Sequence, residues 1–326
     1  MNLHEEIFRI SNEKEFTDIA LAVFNMQADN VPVYSEFINH LNITPSRVKT
    51  ITDIPFLPIE FFKSHKIIHK DHEAESIFES SGTRGLNTSR HYVTSAELYE
   101  NSLINGFSRF YGSPDKYSIL ALLPSYLERK NSSLVYMVER LIEKTGSHHS
   151  GFYLNEYEKL ITSLSLLKKE NKKTILIGVS FALLELAEKY HPDLSGIIVM
   201  ETGGMKGRRP EITRDELHYI LKKDLQLDIV HSEYGMTEIL SQAYSKGDGI
   251  FQSPPWMKIL IRDPYDPMNI LGEEKPGAVN IIDLANIYSC SFVATSDLGR
   301  IIPGKGFGIS GRMDSSDIRG CNLLVS

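Results

Sequence analysis

The middle of the sequence alternates between short apolar runs and longer amphipathic segments, and this alternation constrains the fold more than any other feature. YSILALLP, TILIGVS and GIIVMETGG are typical of buried strands, because each is a continuous apolar run that ends at proline, serine or glycine. SSLVYMVERLIEKTG and FALLELAEKY have the spacing of helices. Alternating strands and helices predict parallel βαβ units whose loops meet at the carboxyl ends of the strands. We therefore expect an α/β protein.

Capping residues mark where several helices begin and end. Thr94 or Ser95 stands where an N-cap belongs, before a segment with helical apolar spacing. Gly146 follows SSLVYMVERLIEKT at the position of a C-cap glycine. Thr213 and Glu216 have the spacing of a capping box, which predicts a helix over TRDELHYILKKDL.

The last part of the chain has a different pattern. From Trp256 onward, the strand-like runs WMKILIRD, GAVNIIDLA and SCSFVATSDLG follow one another without strong helices between them. This pattern predicts a β-rich subdomain. We therefore expect an α/β core in residues 1–255 and a smaller β-rich subdomain in residues 256–326, packed on the core.

Composition excludes several classes of protein. The 326 residues carry a formal net charge of -7, which argues against binding to nucleic acid or to an anionic membrane. No apolar run approaches the roughly 20 residues that a membrane span needs, so we expect no membrane insertion. The start, MNLHEEIFRI, lacks the pattern of a secretory signal. The two cysteines, Cys290 and Cys321, form no CxxC motif, so a structural zinc site is not expected. We expect a soluble, cytoplasmic protein.

One loop, FESSGTRGLNTSRHY, concentrates glycines and hydroxyl side chains beside the basic pair Arg90 and His91. Backbone N–H groups freed by glycine, together with hydroxyl donors and a guanidinium, are the parts of a phosphate-binding loop. The same residue types also form ordinary turns, so this segment alone leaves both interpretations open.

Three further segments fall at or near strand ends, where ligands bind in open α/β sheets: ETGGMKGRR, SEYGMTE and TSDLGR. The first suits an anion, and the second offers a ring for stacking, a hydroxyl and a carboxylate that suits Mg²⁺. Taken singly, each is also compatible with a plain turn.

The order SSGTRG, EYGMTE, SDLGR, GRMDSSDIRG resembles the signature motifs of the adenylate-forming superfamily, which includes acyl-CoA ligases, adenylation domains and luciferases. LLPSYLERKNSSLVYM, ETGGMKG and the ending GRMDSSDIRGC narrow the resemblance to the acyl-protein synthetase family. Those enzymes supply fatty acyl groups to the bacterial bioluminescence fatty-acid reductase. The resemblance extends from about Phe78 to the end of the chain, and it implies ATP and Mg²⁺ as cofactors.

The resemblance also assigns residues that bind the nucleotide. Those expected at the ATP phosphates are Ser80, Ser81, Gly82, Thr83 and Gly85. Those expected along the adenine are Gly203 and Gly204, with Tyr234 stacked on the base and Gly235 beside it. Those expected at the ribose are Asp297, which binds both hydroxyls, and Arg312.

Catalytic roles follow from the same resemblance. Thr237 matches a hydroxyl that contacts phosphate, and Glu238 matches the Mg²⁺ ligand, on a polar loop that we expect to contribute little to the core. Most superfamily members continue into a mobile C-terminal domain with a catalytic lysine, which we expect to be absent here. Lys206 is the candidate that replaces this lysine.

The family resemblance implies that the acyl acceptor is a cysteine near the C-terminus. Cys321 lies in RGCNLLVS, where Arg319 and Arg312 can favour its thiolate, although a buried structural cysteine is the competing interpretation. The expected substrate is a fatty or other carboxylic acid. The expected partner is an acyl-CoA reductase or an acyl-carrier protein.

Three other functions stay open on the sequence alone. GVSFA, between a strand and a helix, is similar to a nucleophile elbow, which would make Ser180 the nucleophile of an acyltransferase or esterase with His231 as base. An acyl-CoA ligase-like enzyme that works with a separate partner is the second. A non-catalytic nucleotide-binding subunit is the third. ATP–pyrophosphate exchange with a fatty acid distinguishes the synthetase from the serine enzyme and from the non-catalytic subunit.

Overall fold

The structure is a computed structural model that describes residues 3–80, 88–124, 131–205, 209–210 and 212–313. Its helices are α1 (Leu3–Ile7), α2 (Glu13–Asn30), α3 (Pro32–His40), α4 (Phe61–Ser64), α5 (Ala96–Tyr111), α6 (Ser133–Thr145), α7 (Tyr157–Lys169), α8 (Ser180–Tyr190) and α9 (Arg214–Leu225). Its strands are β1 (Leu57–Pro58), β2 (Ser76–Glu79), β3 (Arg90–Val93), β4 (Ser118–Leu122), β5 (Gly151–Phe152), β6 (Thr174–Val179), β7 (Ile198–Thr202), β8 (His231–Tyr234), β9 (Ala243–Ser245), β10 (Ile250–Gln252), β11 (Met257–Arg262), β12 (Gly277–Asp283), β13 (Phe292–Ile302) and β14 (Gly306–Arg312).

The predicted caps are present. Ser95 is the N-cap of α5, and its hydroxyl accepts a hydrogen bond from the backbone N–H of Leu98. Gly146 ends α6 in the left-handed conformation with φ 60°. Thr213 and Glu216 form the capping box at the start of α9. These helix boundaries are therefore encoded locally.

The main sheet combines a parallel part and an antiparallel part. Its strands lie in the order β11-β12-β13-β14-β10-β9-β8-β7-β6-β4-β5, and β1 pairs with β13. Strands β5, β4, β6, β7 and β8 are parallel, as the βαβ alternation predicts. From β8 to β11 the successive strands pair antiparallel, and β1 pairs with β13 in parallel. The prediction of an α/β fold with a parallel-rich sheet and a β-rich part is confirmed.

Buried side chains form two clusters. One lies between helices α5 to α9 and the parallel strands, and includes Leu120, Leu176 and Val199. The other joins the N-terminal helices to strands β11 to β13, where the rings of Phe24 and Phe292 lie 6.1 Å apart. The first residues of the chain thus pack on its β-rich part, and the sheet continues across residue 255. The division into residues 1–255 and 256–326 stays a prediction.

Strands β2 and β3 form a separate antiparallel pair. This pair flanks residues 81–87, which include most of the predicted phosphate loop and lie outside the described part of the chain. In the described ranges, no helix has the length and apolar character that crossing a membrane requires.

Candidate active site

Direct hydrogen bonds join three residues that the sequence predicts to bind the nucleoside part of ATP: Tyr234, Asp297 and Arg312. We call these three the nucleoside residues. The Tyr234 hydroxyl donates to Oδ2 of Asp297 at 2.7 Å, and the Arg312 Nε donates to Oδ1 at 2.9 Å. Strand pairing explains the second contact, because Asp297 on β13 lies opposite Arg312 on β14. Burial raises the pKa of Tyr234 well above its ordinary value, so the phenol stays a donor at neutral pH. The structure thus brings together three of the residues predicted to bind the nucleotide.

Asp297 is held in place through Thr295 on its own strand, β13, and through Arg262 on β11. Its backbone N–H donates to Thr295 Oγ1 at 3.1 Å, and the Thr295 backbone carbonyl accepts from Arg262 Nη2 at 2.7 Å. Arg262 is buried and also donates to the carbonyl of Val279 and to Asn280 Oδ1, both at 2.8 Å. Sequence reasoning missed Arg262, although a charged residue near the end of the apolar run WMKILIRD is a signal that could have found it.

Glu238 lies close to this group. It is only 5% exposed, and burial raises the pKa of its carboxyl, while the Ser89 hydroxyl and the charge of Arg312 partly oppose this effect. The expectation of a polar loop side chain with little packing is therefore wrong. Residues 235–238 follow β8, and the Thr237 backbone oxygen beside Glu238 lies 2.8 Å from Nδ1 of His91 on β3.

The donor set at Glu238 fits Mg²⁺. This ion is commonly held by one or two carboxylates together with substrate phosphates and several waters. Glu238 supplies one carboxylate, and Ser89 beside it supplies a hydroxyl. Within the described ranges, no group of three or more His, Cys, Asp or Glu side chains could hold a metal ion.

His91 connects the strand after the phosphate loop to the segment of Thr237. Its Nδ1 lies 2.8 Å from the Thr237 backbone oxygen, and its Nε2 lies 2.9 Å from Oδ1 of Asn286. Asn286 Nδ2 donates to the backbone oxygens of Glu238 and Cys290, which fixes the orientation of its amide. His91 and Asn286 therefore fix the positions of Thr237 and Glu238 relative to β3. Its position in the motif-bearing loop was visible in the sequence, but its partners were not.

The expectation that Arg90 and His91 form a cationic pair at the phosphate loop is corrected. Burial lowers the pKa of His91 to about 4, while the Thr237 and Asn286 oxygens at its two ring nitrogens partly oppose this effect. Arg90 Nε lies 3.1 Å from Oε1 of Glu79, its cross-strand partner. Alternation along β3 places the two side chains on opposite faces of the strand pair.

Ser80 marks where the phosphate loop begins. Its backbone N–H donates to the Ser89 carbonyl at 3.0 Å, and its Oγ accepts from the Ser89 backbone N–H at 2.9 Å. These bonds close the base of the loop. The other residues predicted at the phosphates lie outside the described part of the chain: Ser81, Gly82, Thr83 and Gly85. The same holds for the catalytic candidates Lys206 and Cys321.

Gly203 and Gly204 follow β7 at its carboxyl end. Gly203 has φ 66°, a conformation that favours glycine, and its carbonyl accepts from the Ser180 hydroxyl at 3.0 Å. Immediately before it, the hydroxyl of Thr202 donates to Oε2 of Glu233. Since Glu233 precedes Tyr234 on β8, the glycines and the nucleoside residues meet at one end of the sheet.

Sequence reasoning also missed Glu233, an acidic residue inside a strand. It is buried, and burial raises the pKa of its carboxyl to about 7, with the charge of Glu201 adding to the effect. Two carboxylates on neighbouring strands, at Glu201 and Glu233, were a signal in the sequence, because functional sites often hold carboxyl groups with shifted pKa values.

The serine-enzyme hypothesis finds no support in the geometry. Ser180 is buried and its hydroxyl is bonded to the Gly203 carbonyl. Nδ1 of His231 lies 3.0 Å from the Tyr111 hydroxyl. The strand register places His231 opposite Met200, which in turn lies opposite Ile177, three residues before Ser180 and two strands away. His231 is therefore not the base of Ser180.

Comparisons with known proteins agree with this architecture. The profile of the family described as acyl-protein synthetase, LuxE, matches residues 6–326. The fold is similar to a 2-hydroxyisobutyryl-CoA ligase in complex with 2-HIB-AMP and CoA, with a TM-score of 0.70 and 14% identity, covering 93% of this chain and 71% of that chain. ATP-bound MatB from Rhodopseudomonas palustris gives a TM-score of 0.54 at 17% identity, over 72% of this chain and 47% of that chain.

A third similar structure is the luciferase-like enzyme of the nonluminescent mealworm Zophobas morio, with a TM-score of 0.52 and 17% identity, over 73% of this chain and 57% of that chain. A search of curated proteins gave no significant match. At these identities the structural likenesses establish the fold. Together with the family match, they confirm the resemblance that the ordered motifs indicated.

Proposed function

Because the chain belongs to the acyl-protein synthetase family, LuxE, we propose that it activates a fatty or other carboxylic acid with ATP and passes the acyl group to a cysteine thiol. The observation that carries this proposal is the bonded group of Tyr234, Asp297 and Arg312 beside the buried carboxyl of Glu238. This group has the parts that a nucleotide needs: a ring, a carboxylate for ribose and a cation.

The first step is adenylation of the acid. A carboxylate oxygen of the substrate forms a bond to the α-phosphorus of ATP, the bond to the bridging oxygen of the β-phosphate breaks, and pyrophosphate leaves. Positioning and charge neutralisation supply most of the catalysis in such a transfer. Asp297 orients the ribose. The base is held by Tyr234, Gly235, Gly203 and Gly204. Ser80 is the first residue of the loop that contacts the phosphates.

The phosphates require cations and donors. Glu238 would hold Mg²⁺, and the ion would supply charge neutralisation to the phosphates. Thr237 offers its hydroxyl to phosphate, and its backbone is fixed by His91. Lys206 is proposed as the cation that replaces the lysine of the superfamily's C-terminal domain.

The second step transfers the acyl group. A thiolate attacks the carbonyl carbon of acyl-AMP, a thioester bond forms, and AMP leaves with the electrons of the broken anhydride bond. Cys321 is the proposed acceptor, and an acyl-CoA reductase or an acyl-carrier protein is the proposed next partner. Cytoplasmic location belongs to the same proposal.

The test is ATP–pyrophosphate exchange with a series of acids in the presence of Mg²⁺. Acid-dependent exchange is expected in the native protein and is expected to fall about a hundredfold or more in Asp297→Ala at subsaturating ATP, because charged hydrogen bonds to the ribose are lost. Asp228→Ala is the control, since Asp228 is exposed and precedes β8, whereas Tyr234 is the last residue of that strand. Absence of exchange with every acid would support a nucleotide-binding protein without ligase activity.

A further inference from the structure

Three polar side chains that the adenylation scheme does not use share one face of the sheet. Glu233 on β8 lies directly opposite Tyr244 on β9. Gln242 directly precedes β9, and its side chain adjoins that of Glu233: a Cβ placed on Gly235 would be 3.4 Å from the Gln242 Cγ and 2.5 Å from Oε1 of Glu233. Glu233, Gln242 and Tyr244 are 8%, 6% and 2% exposed. Such a buried polar cluster is unusual on a sheet face that is otherwise covered by apolar side chains of α5, including Phe107.

Two atoms of this cluster have no partner. Oε1 of Gln242 and the hydroxyl of Tyr244 are buried and make no hydrogen bond to any of the described residues. Aromatic neighbours of Tyr244, such as Phe110 at 5.2 Å and Tyr111 at 5.5 Å between ring centroids, supply packing but no acceptor for its hydroxyl. Buried polar atoms are almost always paired, so an orphaned acceptor and an orphaned hydroxyl on one face indicate a ligand.

The carboxyl of Glu233 completes the cluster and lies beside Gly235. Its Oε2 accepts from the Thr202 hydroxyl. Its Oε1 would be 2.5 Å from a Cβ placed on Gly235, and the Gln242 Cγ would be 3.4 Å from the same Cβ. Gly235 itself is exposed. A small group that enters beside Gly235 would therefore meet Glu233 and Gln242 first.

The cluster adjoins the nucleoside residues without overlapping them. Successive residues of a strand point to opposite faces, so Tyr234 points to the face of Phe251 and Phe307 while Glu233 points to the face of Tyr244. Both faces meet at Gly235, where β8 ends. An acid that attacks the α-phosphate of a nucleotide bound at Tyr234 would extend along the face of the sheet that carries Glu233.

We propose that Glu233, Gln242 and Tyr244 bind a hydrogen-bond donor on the acid substrate, a hydroxyl or an amino group on its carbon chain. This inference rests on the proposed adenylation and adds the chemical class of the acid. A carboxyl oxygen and an amide oxygen are acceptors, and the Tyr244 hydroxyl can accept or donate, so the set matches a donor. An unsubstituted alkyl chain would leave all three groups desolvated and unpaired, and sites of this kind reject analogues that lack the polar group. A fatty acid with a hydroxyl on its chain satisfies both the family resemblance and this site.

The experiment compares matched acids. Acid-dependent pyrophosphate release is measured as kcat/KM for butanoate, 2-hydroxybutanoate, 3-hydroxybutanoate and 3-aminobutanoate, and for the corresponding octanoates. We expect at least about a tenfold preference for one substituted acid over its parent. A preference for the amino acid would indicate an ionised Glu233, and a preference for the hydroxy acid a protonated one.

Variants assign the preference to the cluster. Tyr244→Phe and Gln242→Leu should each reduce the ratio of substituted to parent acid by about tenfold or more while the parent acid is used equally well or better. Tyr111→Phe is the matched control, because its ring packs on Tyr244 but its hydroxyl is bonded to His231. Parent acids used as well as every substituted acid, or a ratio unchanged in Tyr244→Phe, would overturn the inference and leave adenylation intact. Absence of release with every acid would overturn both.

Discussion

The hydroxyl of Tyr234 and the carboxylate of Asp297 are hydrogen-bonded at 2.7 Å across 63 residues of sequence. The bond joins the end of a parallel strand to the antiparallel part of the sheet. It leaves each carboxylate oxygen a second lone pair, which the proposed bonds to the ribose hydroxyls would use. One interaction thereby fixes the position of the ring proposed to stack on the base and of the group proposed to bind the sugar.

This relationship predicts unequal effects of two substitutions. Asp297→Ala removes two proposed bonds to ribose, each contributing about 1.5–3 kcal/mol, and should raise the KM for ATP by about a hundredfold or more. Tyr234→Phe keeps the ring and loses one hydroxyl, so the expected rise is only about three- to tenfold. The measurement is KM for ATP and for 2′-deoxy-ATP at saturating acid. Native protein that used both nucleotides with equal KM would rule out the role of Asp297.

Glu238→Gln tests the proposed metal ligand. The amide keeps the size of the buried side chain but removes the negative charge that attracts Mg²⁺, so adenylation should fall by about a hundredfold or more, with a higher Mg²⁺ requirement. Thermal unfolding should change little, whereas Glu238→Ala should lower the melting temperature because it leaves a cavity beside Ser89. Glu273→Gln, at an exposed loop position, is the control. An unchanged rate at saturating Mg²⁺ would remove Glu238 from the site.

Glu233 should make stability depend on pH. Its folded pKa of about 7 lies above the ordinary value of 4.5, so the folded state holds this proton more tightly than the unfolded state does. The contribution of Glu233 to the free energy of unfolding is therefore fully present below pH 4.5 and is lost as pH rises through 7. The total loss is about 3 kcal/mol. Glu233→Gln should lack this loss.

The measurement is the free energy of unfolding by urea at several pH values from 4 to 8. The difference between native protein and Glu233→Gln isolates this carboxyl from the other buried groups. We expect the native protein to lose stability relative to the variant as pH rises. Parallel curves for the two proteins would show that Glu233 has an ordinary pKa.

Local signals explain how much of the fold the sequence could predict. The capping box of Thr213 and Glu216 and the five buried residues of β4 act within a few positions of the chain, so their elements were predictable. Strands β9 and β10 have three residues each, too few to show a period, and only pairing with β8 and β14 makes them strands.

Residues of the candidate site could be selected from the sequence where a motif stands in one piece, whereas contacts between residues far apart in the chain could not be predicted. Tyr234, Asp297 and Arg312 were identified through their motifs, and the structure joins them. The lowered pKa of His91 was not predictable, because it follows from the burial of a ring that lies against Thr237 and Asn286, 146 and 195 residues away. The orphaned hydroxyl of Tyr244 is likewise visible only once α5 covers it.

The last prediction concerns the acyl acceptor. After incubation with ATP, Mg²⁺ and a labelled acid, without CoA, label should become bound to the protein as a thioester, be released by neutral hydroxylamine, and be absent in Cys321→Ser.

Cys290→Ser is the matched control. Cys290 is fully buried, and burial raises the pKa of its thiol to about 12, so only about one molecule in 10⁵ carries the thiolate at pH 7. The serine hydroxyl can donate to the Phe292 carbonyl as the thiol does. Pyrophosphate exchange should persist in Cys321→Ser, because adenylation precedes transfer and uses other residues. Label that stays in free acyl-AMP with the native protein would make Cys321 structural and assign the acceptor thiol to a partner.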